Sequence, residues 1–541
     1  MKLRTRVLAT LLVTALTLAG CGNVAKHGDA DSSSSNSSES KGSDQLIIGA
    51  ETDVVTLDPG RCYETYANTL MRACYDTLFD MPTGSEEPQP LLAKDIQYSD
   101  DGLTVTVTLR DDAVFASGNP VTAKDVQFSI MRCKNLKDNP SFICDGIDSI
   151  DVVDDYTVQF NLNTPDSAFT AKLCYSALSI IDSEAAKEQG ATCDADAATT
   201  DTAKDYFDAG ASLGSGPYTL ESWTPDEEFV LAKNDKYYDG DVAFSKVKIK
   251  EMDDANTQMM SLKQNDIQVA MGLNQDTVGE LEGADGVEVN SYSTMTMGFV
   301  YMNMDESIGG PVSDPLVQQA VRLALDYKGI QDIVGDGSLT PTSYIQVGLL
   351  GALDARDTSY TDVDKAKELM KEAGYEDGFE IDFPCCTLAP EGIPLTDLAQ
   401  KVASDLEKIG IKLNIVTQDW NGGYADDYRN GTLGMSLMYW SPDYTDPNAQ
   451  LEFLPGGIVG LRAGWTAEMD PELAAMKDKI VAETDQDARV ELLKEMQEST
   501  ADSGPIIPIV QYPKYIGSSD ALTGTDFSDN YRVDIRAIAY K

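Results

Sequence analysis

At Gly410 a stripe with helical spacing runs directly into one with strand spacing, and this junction constrains the fold more than any other feature of the chain. Leu398, Val402, Leu406 and Ile409 recur every three or four residues and predict a helix with one apolar face; Gly410 stops it; Ile411, Leu413 and Ile415 then alternate. A helix feeding a strand after a single glycine implies a sheet with helices packed on it, hence an α/β fold. Elsewhere the pattern is mixed in the same way. Leu103, Val105, Val107 and Leu109 alternate after the turn Ser99-Asp100-Asp101-Gly102, predicting a β-hairpin. A second strand pair runs from Tyr218-Thr219-Leu220 to Phe229-Val230-Leu231, introduced by the turn Gly214-Ser215-Gly216-Pro217, which is followed by a strand and so cannot be a dinucleotide fingerprint. Asp314 and Pro315 open a helix with Leu316, Ala320, Leu323 and Ala324 on its stripe, and another helix spans Asp364 to Ala373 and stops at Gly374. A chain of 541 residues exceeds what one hydrophobic core serves, so two or three lobes are expected.

The N-terminus carries an export signal. Lys2, Arg4 and Arg6 precede the apolar run Val7 to Leu18, too short to span a bilayer. The run ends in Leu18-Ala19-Gly20-Cys21, which resembles the lipobox of bacterial lipoproteins and implies a diacylglyceryl group on the Cys21 thiol, with residues 1–20 removed. Residues 21–44 are rich in Ser, Asp, Asn and Gly and too polar to fold. They form a tether with a reach on the order of 25 Å, and two acyl chains would anchor it stably.

Composition removes several classes of function. A formal charge of −49 repels nucleic acid and anionic headgroups. The one histidine, His27, lies in the tether, so the folded body has no histidine for a nucleophile system, a zinc site or a general base. No cofactor and no enzymatic activity are expected. Besides Cys21 there are eight cysteines, at spacings that fit no metal motif; in an oxidising compartment they suggest four disulfides, with Cys133–Cys144 and Cys174–Cys193 as the local pairings.

The ordered series of motifs resembles the solute-binding proteins of bacterial ABC importers, in the peptide/nickel-type family. It runs from Thr56-Leu57-Asp58-Pro59 through Leu109-Arg110-Asp111-Asp112, Gly118 to Val126 and Gly214 to Tyr218. It continues with Val321 to Asp326, Glu372-Ala373-Gly374-Tyr375, Leu406 to Ile411 and Pro505-Ile506-Ile507-Pro508. The resemblance implies an α/β, two-lobed periplasmic-binding-protein-like fold of the cluster C type, with an extra subdomain in the first lobe. The first lobe is expected over residues 45–290 and 506–541, with its subdomain at about 80–210, and the second over 291–505.

The resemblance also implies ligand contacts. Trp440-Ser441-Pro442-Asp443-Tyr444-Thr445-Asp446-Pro447 follows an apolar strand at Met435 to Tyr439, and in peptide-binding members the first acid of this segment pairs with the ligand α-ammonium; here that acid is Asp443, with Trp440 as an apolar wall. Asp446 and Pro447 read as structural. Tyr63, Glu64 and Thr65 fall in the loop that pairs with an extended ligand, although Cys62 is a departure there. Arg429 and Arg462 are candidates for a ligand carboxylate, and Trp420 for stacking. The expected partners are a short peptide, or alternatively an oligosaccharide or other small solute, and ABC permease subunits, with a membrane anchor through Cys21 and a monomeric body at the extracellular face. A surface hydrolase or interaction protein is the remaining alternative.

Overall fold

The computed structural model describes residues 44–52 and 54–541; the expected signal, Cys21 and all but the last residue of the expected tether lie outside them. One ten-stranded sheet runs through the body. From one edge its strands are Ile411–Gln418, Phe379–Cys386, Met435–Trp440, Val287–Met302, Ile506–Ser519, Val269–Leu273, Gln45–Ala50, Lys246–Glu251, Glu228–Lys233 and Tyr218–Thr224. The helix Leu395–Glu407 leads through Gly410, at φ +86°, into Ile411–Gln418, which pairs parallel to Phe379–Cys386. Only glycine takes that left-handed turn without strain.

The two longest strands, Val287–Met302 and Ile506–Ser519, lie antiparallel at the centre of the sheet and belong to both halves of it. Their ends Phe299 to Met302 and Ile506 to Val510 sit in a core with Phe383, Val402, Leu437 and Phe453, while Ile516 joins a separate core with Leu46, Phe229, Val247 and Val533. Two cores on a pair of shared strands make the body two-lobed. The hairpin Ala93–Tyr98 with Thr104–Leu109 extends into a four-stranded antiparallel sheet with Thr157–Leu162 and Ile147–Asp154, which carries a third core from Leu78 to Ile180.

Pairing between the two crossing strands slips between Ser293 and Met297. Such a bulge removes backbone groups from the ladder and redirects side chains. The displaced groups find partners: the Thr294 carbonyl accepts from Gln511 Nε2 at 3.0 Å, and the Met295 carbonyl from Gln346 Nε2 at 3.0 Å.

The disulfide pairings are corrected. Cys133 and Cys144 are neighbours in one core, yet no bridge joins them, and the Cys144 thiol turns to the Ile130 carbonyl at 3.8 Å. Cys174 and Cys193 are also unbridged: the Cys174 thiol turns to the Thr170 carbonyl of the preceding short helix, at 3.5 Å, and packs in a different core from Cys193. Among the described residues no helix is long and apolar enough to cross a membrane, and no cluster of acids and cysteines could hold a metal ion.

Candidate functional site

Where the lobes meet over the bulge, a cavity of about 200 Å³ is lined by residues distant in sequence, including Tyr63, Met295, Glu391, Asp443, Asp529 and Arg532. A second cavity of about 270 Å³ shares Met295, Thr445, Asp529 and Asn530 with it, so the two adjoin.

Asp443 reaches the cavity because its loop is held at both ends. The buried strand Met435–Trp440 delivers the chain to Ser441, whose Oγ lies 2.9 Å from Thr296 Oγ1 on the bulged strand, and Pro442 restrains the backbone before the acid. Beyond it, buried Asp446 caps the turn Pro447–Phe453 by accepting from the Asn448 N–H at 2.8 Å, and pairs with buried Arg489. With the loop so fixed, Asp443 Oδ1 accepts from the Tyr63 hydroxyl at 2.6 Å across the cleft. Burial pushes the Asp443 carboxyl above its ordinary range, and the Tyr63 bond brings it part of the way back. Among the described residues, no Lys or Arg pairs with Asp443.

Tyr63 stands on a turn built by Asp58, whose carbonyl accepts from the N–H groups of Arg61 and Cys62 at 3.0 and 2.9 Å. Arg132 holds the Asp58 carboxylate from beneath with two bonds of 2.7 and 2.6 Å and donates again to Asp201, an ion cluster buried almost completely. Such bidentate pairs fix geometry as well as charge.

The opposite wall is cationic at one point. Glu391, on the turn Pro390–Gly392, accepts from Lys514 Nζ and Arg532 Nη1, each at 3.1 Å. Burial alone would raise its carboxyl, but Arg532 and Lys514 outweigh that and hold it at about 2. Arg532 also lies over the rings of Tyr66 and Phe527, 5.2 and 5.7 Å from their centroids. Its Nε is buried and has no hydrogen-bond partner among the described residues. Glu391 and Arg532 both have left-handed backbones, with φ +48° and +58°. Two such non-glycine residues facing one cavity are the kind of strain that packing maintains at functional sites.

Asp529 sits between the two cavities. The Met295 N–H, released by the bulge, donates to its Oδ1 at 2.7 Å. Burial raises its carboxyl to about 6 despite that bond and the nearby Arg532.

The other sequence candidates lie elsewhere. Thr65 lines the cavity, but Glu64 does not, and its carboxylate accepts from the Tyr63 N–H at 3.2 Å. Trp440 packs edge-on against Phe453, with centroids 5.8 Å apart, in the second-lobe core. Trp420, Tyr424 and Tyr428 form an aromatic cluster away from the cavity lining, with Arg429 over Trp420 at 5.4 Å and Arg462 over Tyr428 at 4.6 Å. Glu391, Asp529 and Arg532 were not singled out from sequence, where no local pattern marks them.

Residues 87–457 match the model of the bacterial extracellular solute-binding proteins, family 5, middle region. The "Probable D,D-dipeptide-binding periplasmic protein DdpA" of Escherichia coli (strain K12) is 26% identical over 495 residues, covering 90% of this chain and 92% of the relative. "Heme-binding protein A" of Haemophilus influenzae is 24% identical over 481 residues, covering 85% of each chain. Among solved structures, the periplasmic binding protein DppA of Helicobacter pylori in complex with the peptide STSA superposes with a TM-score of 0.70 at 23% identity, covering 92% of this chain and 98% of that one.

Proposed function

Because the chain belongs to family 5 of the bacterial extracellular solute-binding proteins, which are binding receptors and carry out no chemistry, we propose that it captures short peptides between its lobes. The peptide's α-ammonium pairs with Asp443, and its carboxylate meets Arg532. One observation carries this reading: among the described residues, a half-buried carboxylate with no cationic partner faces the same cavity as an arginine whose Nε has no hydrogen-bond partner. A peptide supplies an ammonium for the carboxylate and an acceptor for the unpartnered N–H, while Arg532 keeps its ion pair with Glu391; a desolvated charge left unpaired is costly. No tryptophan lines the cavity among the described residues, which weighs against a sugar ring stacked on Trp420 or Trp440. The relative named for D,D-dipeptide binding agrees with a peptide ligand. In the same reading, Cys21 bears the diacylglyceryl anchor, the body acts as a monomer at the extracellular face, and the closed form hands its peptide to an ABC permease.

The test is calorimetric titration of the purified full chain with tripeptides, free and N-acetylated. Free peptides should bind, acetylation should weaken binding by about tenfold or more, and Asp443→Asn should weaken the free peptide by a similar factor. Equal affinity for free and acetylated peptides would remove Asp443 from its role; binding of sugars alone would overturn the ligand class.

A further inference from the structure

We propose that the site selects peptides bearing a cationic side chain, which passes from the Asp443 cavity into the adjoining one and pairs there with Asp529. The proposal rests on the peptide reading above and specifies its substrate class. Three observations support it.

The first is the character of the second cavity. Met81, Tyr292, Val347 and Phe527 give it apolar walls suited to an aliphatic stem, and its charged lining residues are Asp529 and Glu86, with no lysine or arginine. Long cationic side chains lie along apolar surface and place their charge at the end.

The second is the charge balance around the ligand space. Asp443, Glu391 and Asp529 face the first cavity with Arg532, and Lys514 stands behind Glu391. Here the acids outnumber the bases by one, and Glu86 in the second cavity adds to that excess. A zwitterionic peptide leaves that excess in a closed, poorly hydrated site, whereas a peptide with one additional positive charge cancels it.

The third is the geometry of Asp529. Its Oδ1 is held by the bulge amide of Met295, and among the described residues no hydrogen bond reaches its other oxygen, on a residue that lines both cavities. Its raised carboxyl, at about 6, is that of a buried acid short of positive charge, with Arg532 already engaged by Glu391.

The experiment titrates the purified full chain with trialanine variants in which each position in turn carries lysine or its uncharged counterpart norleucine. At one position or more, lysine should bind about tenfold or more tightly than norleucine, as a charge-assisted bond supplies. Asp529→Asn, which keeps the acceptor for the Met295 amide, should reduce that preference to under about twofold and leave the norleucine peptides within about threefold of wild type. Equal binding of lysine and norleucine at all three positions, or a preference that survives Asp529→Asn, overturns the proposal. The wild-type comparison does not depend on any variant folding. If norleucine peptides bind without a lysine preference, the peptide reading stands and this inference fails; if no tripeptide binds, both fail.

Discussion

Glu391→Gln tests whether the buried ion cluster stabilises the closed arrangement of the lobes or only the fold. Glu391 stands on a turn whose flanking Leu388 and Ile393 pack on the second-lobe core, whereas Arg532 lies in a C-terminal segment whose neighbours Phe527 and Val533 belong to the first-lobe core, and Lys514 is on a crossing strand. Holding the glutamate at about 2, against an ordinary value of 4.5, corresponds to about 3 kcal/mol in favour of its charged form. Glutamine fills the same space without the charge, leaving two buried cations sharing no carboxylate, a change that typically costs ~3–5 kcal/mol. Opening the cleft rehydrates Arg532, so the cost should fall mainly on the closed state. A bias of about 3 kcal/mol moves the open–closed equilibrium roughly 100-fold and lowers apparent peptide affinity by up to that factor.

Titration calorimetry would read the affinity, small-angle scattering the opening of the ligand-free protein, and a thermal melt the fold. The expected result is weaker binding, a larger radius of gyration and a modest fall in melting temperature. Unchanged affinity and scattering with a sharply lowered melting temperature would refute the argument, placing the cluster's contribution in folding. The pH dependence has a definite sign: the folded value is depressed, so the glutamate's contribution is complete above its ordinary range and is lost only as pH falls towards 2. Closure of the wild type should therefore not titrate through Glu391 above about pH 5.

Asp529 shifts in the opposite direction. Its folded value of about 6 exceeds the ordinary 3.8, so it stabilises the ligand-free fold below that range and loses about 3 kcal/mol of stability as pH rises through 6; Asp529→Asn should flatten that part of a melting-temperature profile, and an unaltered profile would contradict the assignment. Trp420→Ala and Arg429→Ala, both outside the cavity lining, should leave peptide affinity within about twofold of wild type, since neither touches the space a ligand would fill; a loss of tenfold or more by titration would return the aromatic cluster to the binding site.

The parts of this fold that were legible in the sequence are those whose cause is local. Asp314 caps the helix Pro315–Ala324 through the Leu316 N–H at 2.8 Å, as the Asp-Pro pair implies, and Gly102 turns the hairpin at φ +67°. Asp443 was singled out by the resemblance of the Trp440 to Pro447 segment to that of peptide-binding members, and the buried strand before it marks the strand end on which it stands. Asp529 could not: what makes it a cavity residue is the Met295 amide, released by a slip in pairing between strands separated by more than two hundred residues of chain. Register between distant strands leaves no periodic signal in either one. Glu391 and Arg532 were hidden for the same reason, since each is an ordinary charge until the lobes bring them together. Arg429 and Arg462, chosen as cations of the second lobe, have guanidinium groups that lie over aromatic rings.

Recognition and closure are then two aspects of one imbalance. Tyr63 and Arg532 come from segments packed on the first lobe, Asp443 and Glu391 from the second, and the cavity between them is complete only when the lobes meet. Closing without ligand buries Asp443 with a single hydroxyl as donor, which raises its carboxyl and disfavours the empty closed state. A ligand ammonium removes that penalty, so its differential affinity for the closed form is set by the charge that identifies it. A neutral ligand of equal size would fill the space and leave the penalty in place, and for that reason acetylation of the peptide N-terminus should weaken closure as well as binding.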